Sequence, residues 1–252
     1  TVDRIDFSSE TISTPGNDLS NARSSMGTVS SSAYGYFGGG FEPSGAPGVS
    51  SIDRIDFSSE TISTLGNNLS QERFGLQGTS SSAYGYFAGG GQPSLTATID
   101  RIDFYNETTS APGNNLPLAR SEFAAVSGGA SVARANGYGT YGYTIGGFGP
   151  PSLCNITRQD FSTNTFSDVG TLPTSLYGND RSAYNNEYGY FGGGYSPSPP
   201  PAARRSAIYR FDFSNESTLI LPSALPQVAD KISHTSTIQA GHFGGGYGYP
   251  PL

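Results

Sequence analysis

One phrase of aromatic residues and glycines occurs five times along the chain. It reads YGYFGGG from Tyr34, and its other copies are YGYFAGG from Tyr84, YGYTIGG from Tyr141, YGYFGGG from Tyr188 and AGHFGGG from Ala240. A second phrase, DRIDFSSET or a variant of it, alternates with the first, and its phenylalanines are Phe7, Phe57, Phe104, Phe161 and Phe213. Successive copies lie 47 to 57 residues apart. A fixed period of this length indicates a repeat architecture, in which each unit stacks on its neighbours.

Each repeat unit is predicted to contain four short strands. In the DRIDF phrase, apolar Ile5 and Phe7 alternate with charged Arg4 and Asp6, and a period of two is typical of a strand. The polar tetrad SSET that follows suits a hairpin turn. The aromatic strand ends in glycines, which permit positive φ and close approach of the backbone. The sequence predicts no helix.

A single unit of this kind cannot bury both faces of its sheet, whereas a closed ring of units can and also protects the sheet edges. We therefore predict an all-β fold, a five-bladed β-propeller of four-stranded antiparallel blades that forms one domain over residues 1–252. The repeat units span about 3–52, 53–99, 100–156, 157–208 and 209–252, with an insertion within 127–140. We expect the ring to close by pairing of N- and C-terminal strands within one blade, 3–14 with 231–246.

The repeat resembles the kelch repeat over nearly the whole chain. Kelch units have a glycine pair that closes the second strand, here Gly38-Gly39, Gly89-Gly90, Gly146-Gly147, Gly192-Gly193 and Gly244-Gly245. They also have a basic residue that opens the first strand, here Arg23, Arg73, Arg120, Arg181 and Lys231. The family's outer-strand tryptophan is absent, and Ile12, Ile62 or Phe166 stands near its place, so the resemblance rests on pattern.

Repeats with these phrases are also similar to those of virus-encoded proteins, in particular tail-fibre or virion proteins of marine phages. That resemblance implies an extracellular or virion location. It also implies a role as a structural protein, in assembly or in recognition.

The repeated Arg-x-Asp motif is predicted to form structural ion pairs. Residues two apart on a strand share a face, within reach of an arginine side chain. A ligand-binding charged ring is the other interpretation, but fivefold repetition favours a structural role. The predicted pairs are Arg4/Asp6, Arg54/Asp56, Arg101/Asp103, Arg158/Asp160 and Arg210/Asp212.

The loops after the glycines vary most between copies, and function is often carried by such loops. We expect them on one face of the propeller together with the Gly-Asn-Asn loops. Aromatic rings beside amides and hydroxyls suit the apolar faces and hydroxyl groups of sugars; the alternative is that these rings only cap the core. The candidate ligand-binding residues are Phe41, Phe148, Tyr195, Tyr247, Asn68 and Asn115, with Gln92 in the aromatic's place in the second copy.

Charge and composition exclude several classes of function. The net charge is −7 with one lysine, Lys231, which argues against a nucleic-acid partner. No run of about 18 apolar residues is present, so we expect no membrane insertion. The two histidines, His234 and His242, and the lone Cys154 form no metal-ligand motif, and we expect no metal and no cofactor.

Three sequons are possible glycosylation sites, at Asn106, Asn155 and Asn215. Chance occurrence is the other interpretation in a chain this rich in Asn, Ser and Thr.

The sequence favours a protein without enzymatic activity, a recognition or assembly module that binds a glycan or a protein surface. The first alternative is a purely structural bead of a fibre or virion that associates with copies of itself. The second is a five-bladed glycoside hydrolase, which would require carboxylates such as Glu42, Glu72, Glu122 or Glu187 to converge.

Overall fold

A computed structural model describes most of the chain. It covers residues 2–6, 8–9, 11–43, 48–91, 93–128, 139–151, 153–178, 182–197, 203–231, 233–236, 241–244 and 247–248. These residues form strands, turns and loops, and no helix occurs among them.

The N-terminal half consists of a hairpin and two four-stranded antiparallel sheets, in which the strands are ordered as in the chain. The hairpin pairs β1 (Arg4–Asp6) with β2 (Thr11–Ser13). Blade 1 consists of β3 (Gly27–Ser30), β4 (Tyr34–Gly38), β5 (Ile52–Asp56) and β6 (Ile62–Thr64). Blade 2 consists of β7 (Gln77–Ser80), β8 (Tyr84–Ala88), β9 (Ile99–Asp103) and β10 (Thr109–Ser110).

The C-terminal half repeats this plan. Blade 3 consists of β11 (Ala124–Gly128), β12 (Tyr141–Ile145), β13 (Asn155–Asp160) and β14 (Thr165–Thr171). Blade 4 begins with β15 (Ala183–Tyr184) and β16 (Tyr188–Gly192); a small hairpin of β17 (Tyr195–Ser196) and β18 (Ala203–Arg204) follows, and the blade ends with β19 (Ala207–Asp212) and β20 (Thr218–Ala224). The last strands are β21 (Ala229–Asp230), β22 (Ser233–Ser236), β23 (Gly241–Gly244) and β24 (Tyr247–Gly248), paired as β22 with β23 and β21 with β24.

The predicted all-β propeller with four-stranded antiparallel blades is confirmed, and four complete blades are present in the described part of the chain. The aromatic-glycine phrase forms the second strand of each blade and the DF phrase the third, as β4 and β5 show. The predicted insertion falls largely on residues 129–138, outside the described part of the chain.

Aromatic rings make the contact between neighbouring blades. Tyr36 of blade 1 stacks on Phe104 of blade 2, with ring centroids 5.4 Å apart and planes 12° apart. Tyr86 and Tyr143 repeat this contact with the next blade, against Phe161 and Phe213. All three tyrosines are at most 1% exposed. Burial of a side chain of this size stabilises the fold by about 1.5–3 kcal/mol.

Glycine is required where each second strand turns toward the next blade. A Cβ on Gly39, which has φ +67°, would lie 2.7 Å from the carbonyl oxygen of Arg73. The backbone amide of Gly40 donates to that same oxygen, so the close approach is part of the joint. The left-handed pair is Gly39-Gly40 in the first copy and Gly193-Gly194 in the fourth, one residue later than predicted. In the second and third copies the predicted pairs are correct.

The predicted basic position is right in three copies and wrong in the fourth and fifth. The backbone carbonyls of Arg73 and Arg120 each accept a bond from the second glycine of the preceding unit. Leu176 and Ala229 accept the same bond in the later copies, so apolar residues occupy this position there. Lys231 lies two residues further on, and Arg181 lies outside the described residues.

One residue per unit takes a left-handed conformation just before the first strand, and these residues are joined through their backbones. Each amide donates to the carbonyl of its predecessor, at 2.7 to 3.0 Å. The bonds run from Gly75 to Ser25, from Glu122 to Gly75, from Gly178 to Glu122 and from Lys231 to Gly178. Four bonds therefore connect five equivalent positions in series, from Ser25 to Lys231, and we call this series the axial ring.

The predicted Arg-x-Asp ion pairs are replaced by two other interactions. Each aspartate accepts bonds from the turn that follows it: Asp56 accepts from the backbone amides of Ser58 and Ser59 at 2.8 and 3.1 Å. The arginine instead reaches a glutamate in the hairpin turn of the next unit, as Arg54 does with Glu107 at 2.8 Å. The turn geometry explains the correction, because its free amides point at the aspartate and satisfy it locally.

The turn-bonded aspartate recurs in every other copy, and the arginine–glutamate pair recurs in two of them. Arg4 pairs with Glu60 and Arg158 with Glu216, while the turn-bonded aspartates are Asp6, Asp103, Asp160 and Asp212. The serine hydroxyls and amides of Ser8 and Ser9 lower the pKa of Asp6 to about 2. Arg101 and Arg210 stack over Tyr84 and Tyr188, with 4.5 and 4.4 Å from guanidinium carbon to ring centroid.

Candidate binding face

Three of the predicted aromatic residues occupy equivalent places in the loop that follows each glycine pair. Phe41, Phe148 and Tyr195 form backbone bridges with Ser24, Ser121 and Tyr177, which all directly precede the axial ring. The rings therefore lie on the face of the propeller that carries the axial ring. The three residues occupy corresponding positions, as their spacing after the glycines predicts.

The second copy has a glycine at this place, and the fifth copy has a tyrosine. In the second copy Gly91 makes the equivalent bridge, to Phe74, so the assignment of Gln92 to this place was off by one residue. Gln92 itself lies outside the described residues. In the fifth copy Tyr247 pairs with Asp230 on β24 and β21, which matches the register of the other copies; its side chain lies outside the described part.

Phe148, Tyr177 and Tyr195 lie together and form what we call the aromatic cluster. The ring centroids of Phe148 and Tyr177 are 5.4 Å apart with planes at 70°, and those of Tyr177 and Tyr195 are 5.1 Å apart at 48°. Phe148 is 47% exposed, so a large part of one ring faces solvent. Tyr177 was missed from the sequence, since it precedes a first strand and not a glycine loop.

Two ion pairs border the aromatic cluster. Lys231 Nζ lies 3.2 Å from Glu122 Oε1, and both residues belong to the axial ring. Arg204, which pairs with Tyr195 across the small hairpin, lies 2.8 Å from Asp230. Burial is the main cause of a raised pKa at Tyr177, and the negative charges of Glu122 and Asp230 add to it.

Backbone strain also occurs on this face. Ser25, Glu122 and Lys231 have φ between 51° and 55° in the axial ring, where Gly75 and Gly178 occupy the other two positions. A left-handed conformation costs a residue with a Cβ on the order of 1 kcal/mol. Three of the five units therefore carry side chains at the axis despite that cost.

A second, smaller pair of rings lies on blade 1 of the same face. Phe41 contacts Phe74, with centroids 5.5 Å apart and planes at 75°. Phe41 is 36% exposed. Two rings here and three on blades 3 and 4 make the face asymmetric.

Asn68 and Asn115 lie at the joints between blades. The residues before them, Asn67 and Asn114, donate through Nδ2 to the carbonyls of Glu107 and Asn164 in the next unit. The carbonyl of Asn68 accepts from Thr109, and Oδ1 of Asn115 accepts from the amide of Ile99. Within the described residues, none of these bonds connects Asn68 or Asn115 to the aromatic cluster.

The three sequons differ in accessibility. Asn106 and Asn215 are exposed in hairpin turns, and their Oδ1 atoms accept from the amides of Thr108 and Ser217. The Nδ2 of Asn155 is already bonded to Asp168 at 2.9 Å.

In the described ranges no group of three or more His, Cys, Asp or Glu residues could hold a metal ion. Glu122, one of the carboxylates considered for a glycosidase, is paired with Lys231. Nor does the described part of the chain contain a helix long and apolar enough to span a membrane.

Comparison with solved structures supports the class of fold. The chain is a β-propeller, and its blades resemble those of kelch-repeat proteins. It is similar to the structure titled "Structure of YjhT", with a TM-score of 0.71 and 12% sequence identity over 90% of this chain and 78% of that chain. At that identity the likeness concerns the fold alone. No protein-family model matches the sequence, and no curated protein matches it either.

Proposed function

We propose that the protein is a closed five-bladed propeller that acts, outside the cell or on a virion, as a non-enzymatic recognition or assembly module. It binds a glycan or a protein surface through the face that carries the aromatic cluster. The observation that carries the proposal is the partly exposed cluster of Phe148, Tyr177 and Tyr195, bordered by two ion pairs, one of which lies on the strained axial ring.

The N-terminal hairpin supports a fifth blade, because it contacts blade 1 as a complete blade contacts its successor. Arg4 of the hairpin pairs with Glu60, and Asn17 donates to the carbonyl of Glu60. Arg54 and Asn67 of blade 1 make the same two contacts with Glu107 of blade 2. Strands β1 and β2 of the hairpin thus correspond to the third and fourth strands of a complete blade.

The C-terminal hairpin supports the other half of that blade. A Cβ on Gly192 of blade 4 would lie 3.1 Å from the Phe243 ring, and a Cβ on Gly38 of blade 1 would meet Phe87 in the same way. Strands β22 and β23 thus correspond to the first and second strands of a complete blade. Ile5 is 51% exposed, whereas its counterpart Ile102 is fully buried. Pairing of β1 with β23 would cover Ile5.

A glycan is a suitable partner because tilted aromatic rings stack on the apolar faces of sugars. The adjacent carboxylates and the guanidinium group of Arg204 offer acceptors and donors for hydroxyl groups. A protein surface is also compatible, since exposed Tyr and Phe are frequent anchors of protein interfaces.

A glycan-array screen tests the function, with Tyr177→Ala and Phe148→Ala as the site variants. The matched control is Tyr105→Ala, which removes a ring that is 96% exposed in a hairpin turn outside the cluster. We expect saturable binding that both site variants reduce at least tenfold and that Tyr105→Ala leaves within twofold. Tyr195→Ala and Tyr247→Ala are expected to weaken binding as well.

The two alternatives predict different results. A structural bead predicts no glycan binding together with ordered self-association, detected by sedimentation. A glycoside hydrolase predicts turnover of an oligosaccharide that is lost when single carboxylates are replaced. Either result would contradict a non-enzymatic recognition module.

A further inference from the structure

Two joints between blades share one arrangement, in which a carboxylate receives two donors. At the joint of blades 1 and 2, Glu107 accepts from Arg54 at 2.8 and 2.9 Å and from the Tyr36 hydroxyl at 3.1 Å. At the joint of blades 3 and 4, Glu216 accepts from Arg158 at 2.8 Å and from the Tyr143 hydroxyl at 3.3 Å. The glutamate always comes from the hairpin turn of the later blade.

The joint of blades 2 and 3 has the same backbone frame. Tyr86 lies opposite Arg101, as Tyr36 lies opposite Arg54. Arg101 stacks over Tyr84 at 4.5 Å, and Arg54 over Tyr34 at 4.6 Å. Tyr86 also stacks on the next blade with planes 12° apart, as Tyr36 does.

The hairpin turn of blade 3 is also in the same place. Asn164 has φ 54°, close to the 57° and 56° of Glu107 and Glu216. Its carbonyl accepts from Asn114 at 2.9 Å, as the carbonyl of Glu107 accepts from Asn67 at 3.1 Å. The turn is therefore not displaced, and only its side chain differs.

What differs is the missing carboxylate, because Asn164 stands where the other two turns have glutamate. The amide is uncharged and one methylene shorter. Tyr86 is fully buried, and its hydroxyl lies beside the Arg101 guanidinium but donates to no acceptor. The Oδ1 atom of Asn164 is also buried without a partner. Among the described residues no carboxylate lies within 4 Å of the Arg101 guanidinium, and its hydrogen bond to Ser110 is 3.4 Å long.

We propose that the joint of blades 2 and 3 is a binding site for a small carboxylate, which takes the place that the glutamate side chain has in the other joints. Arg101 and the Tyr86 hydroxyl are its donors, matching Arg54 and Tyr36 at Glu107. A guanidinium and a hydroxyl group are strong donors to a carboxylate, and a buried donor without an acceptor is unfavourable. Rotation of the Asn164 amide adds its NH₂ group as a third donor.

The test is a titration with ¹³C-labelled formate, followed by NMR, of the wild type and two exchanged variants. Asn164→Glu supplies the missing carboxylate, and Glu107→Asn removes one from the joint of blades 1 and 2. Each variant introduces a residue that the equivalent turn position of another blade already has. We expect one saturable formate site in the wild type, none in Asn164→Glu and two in Glu107→Asn.

Thermal unfolding gives a second readout on the same proteins. Saturating formate is expected to raise the Tm of the wild type by about 2–4 °C, and to leave the Tm of Asn164→Glu unchanged. The proposal is overturned if the wild type shows no saturable binding, as when a water molecule alone fills the joint. It is equally overturned if Asn164→Glu binds formate as well as the wild type.

Discussion

Blades 1 and 3 each contact a buried arginine through an aspartate carboxylate and a threonine hydroxyl group. The two groups occupy exchanged positions in the two blades. In blade 1, Asp53 lies 2.9 Å from Arg23 and accepts from the Thr64 hydroxyl across the sheet. In blade 3 the positions of acid and hydroxyl are reversed: Thr157 contacts Arg120, and its hydroxyl donates to Asp168 at 2.7 Å. The register is equivalent, since Asp53 pairs with Thr64 and Thr157 with Asp168.

The exchange shows that the fold requires a carboxylate near the buried guanidinium more than it requires an acid at one sequence position. Arg23 and Asp53 have fully buried side chains in direct contact. Arg120 is also buried, but its carboxylate lies one residue further away on an exposed strand. Burial lowers the pKa of Arg120 to about 10, and Asp168 opposes that shift.

The largest effect is expected for Asp53→Ala. Removing one member of a buried ion pair leaves a buried charge without a partner, which costs about 3–5 kcal/mol. Urea unfolding measures the loss. The control is the double variant Arg23→Met with Asp53→Leu, which removes both charges and should recover most of the stability. If Asp53→Ala lowered the free energy of unfolding by less than about 1 kcal/mol, the direct Arg23–Asp53 pair would not be important for stability.

A smaller effect is expected in blade 3, where the carboxylate acts through Thr157. Asp168→Thr should lower the free energy of unfolding by about 1–3 kcal/mol, because it removes the acceptor of a buried hydroxyl. Adding Thr157→Asp recreates the order of blade 1 and should restore the stability. If the double variant is less stable than Asp168→Thr, the two blades are not interchangeable.

The partly exposed ion pairs at the joints should matter less than the fully buried ones. Arg54 and Glu107 have side chains 27% and 26% exposed, and we expect Glu107→Gln to cost up to about 1 kcal/mol. The loss should shrink in high salt, since salt screens exposed charges. A loss as large as that of Asp53→Ala, independent of salt, would contradict the distinction by burial.

The smallest effect concerns the exposed turn carboxylate Asp6. Because hydrogen bonds lower its folded-state pKa to about 2, below the unfolded value, its contribution to stability is present above about pH 4 and is lost as the pH falls through 2. An NMR titration of the Asp6 carboxyl group checks this. Ser8→Ala should raise the measured pKa, and an ordinary pKa near 4 in the wild type would show that the turn bonds are absent.

The repeats allowed the blade architecture to be predicted because each copy carries its own strand alternation and its own glycines. The side-chain partners across a joint between two blades could not be predicted from the repeats. Arg54 has an aspartate two residues away in sequence, yet it pairs with Glu107, which only folding brings close. A signal was present nonetheless, since the glutamate recurs at one turn position in four copies and becomes Asn164 in the other.

The candidate site was predicted in part for a similar reason. Phe41, Phe148 and Tyr195 follow the glycine pairs and could be aligned by counting. Tyr177 could not, since it reaches Tyr195 through a backbone bridge between two loops. The Gly-Asn-Asn motif suggested a ligand loop, but its amides bond to the next blade, as Asn67 does.

Cross-linking tests most directly whether the ring is closed by a fifth blade. Because Tyr36 pairs with Arg54 in blade 1, the equivalent partners in the fifth blade are His242 and Arg4. In a Cys154→Ala background, Arg4→Cys with His242→Cys should form an intramolecular disulfide in the native protein, whereas Ser167→Cys with His242→Cys should not. A folded protein in which the first pair fails to cross-link, or links only between molecules, would contradict a closed five-bladed ring.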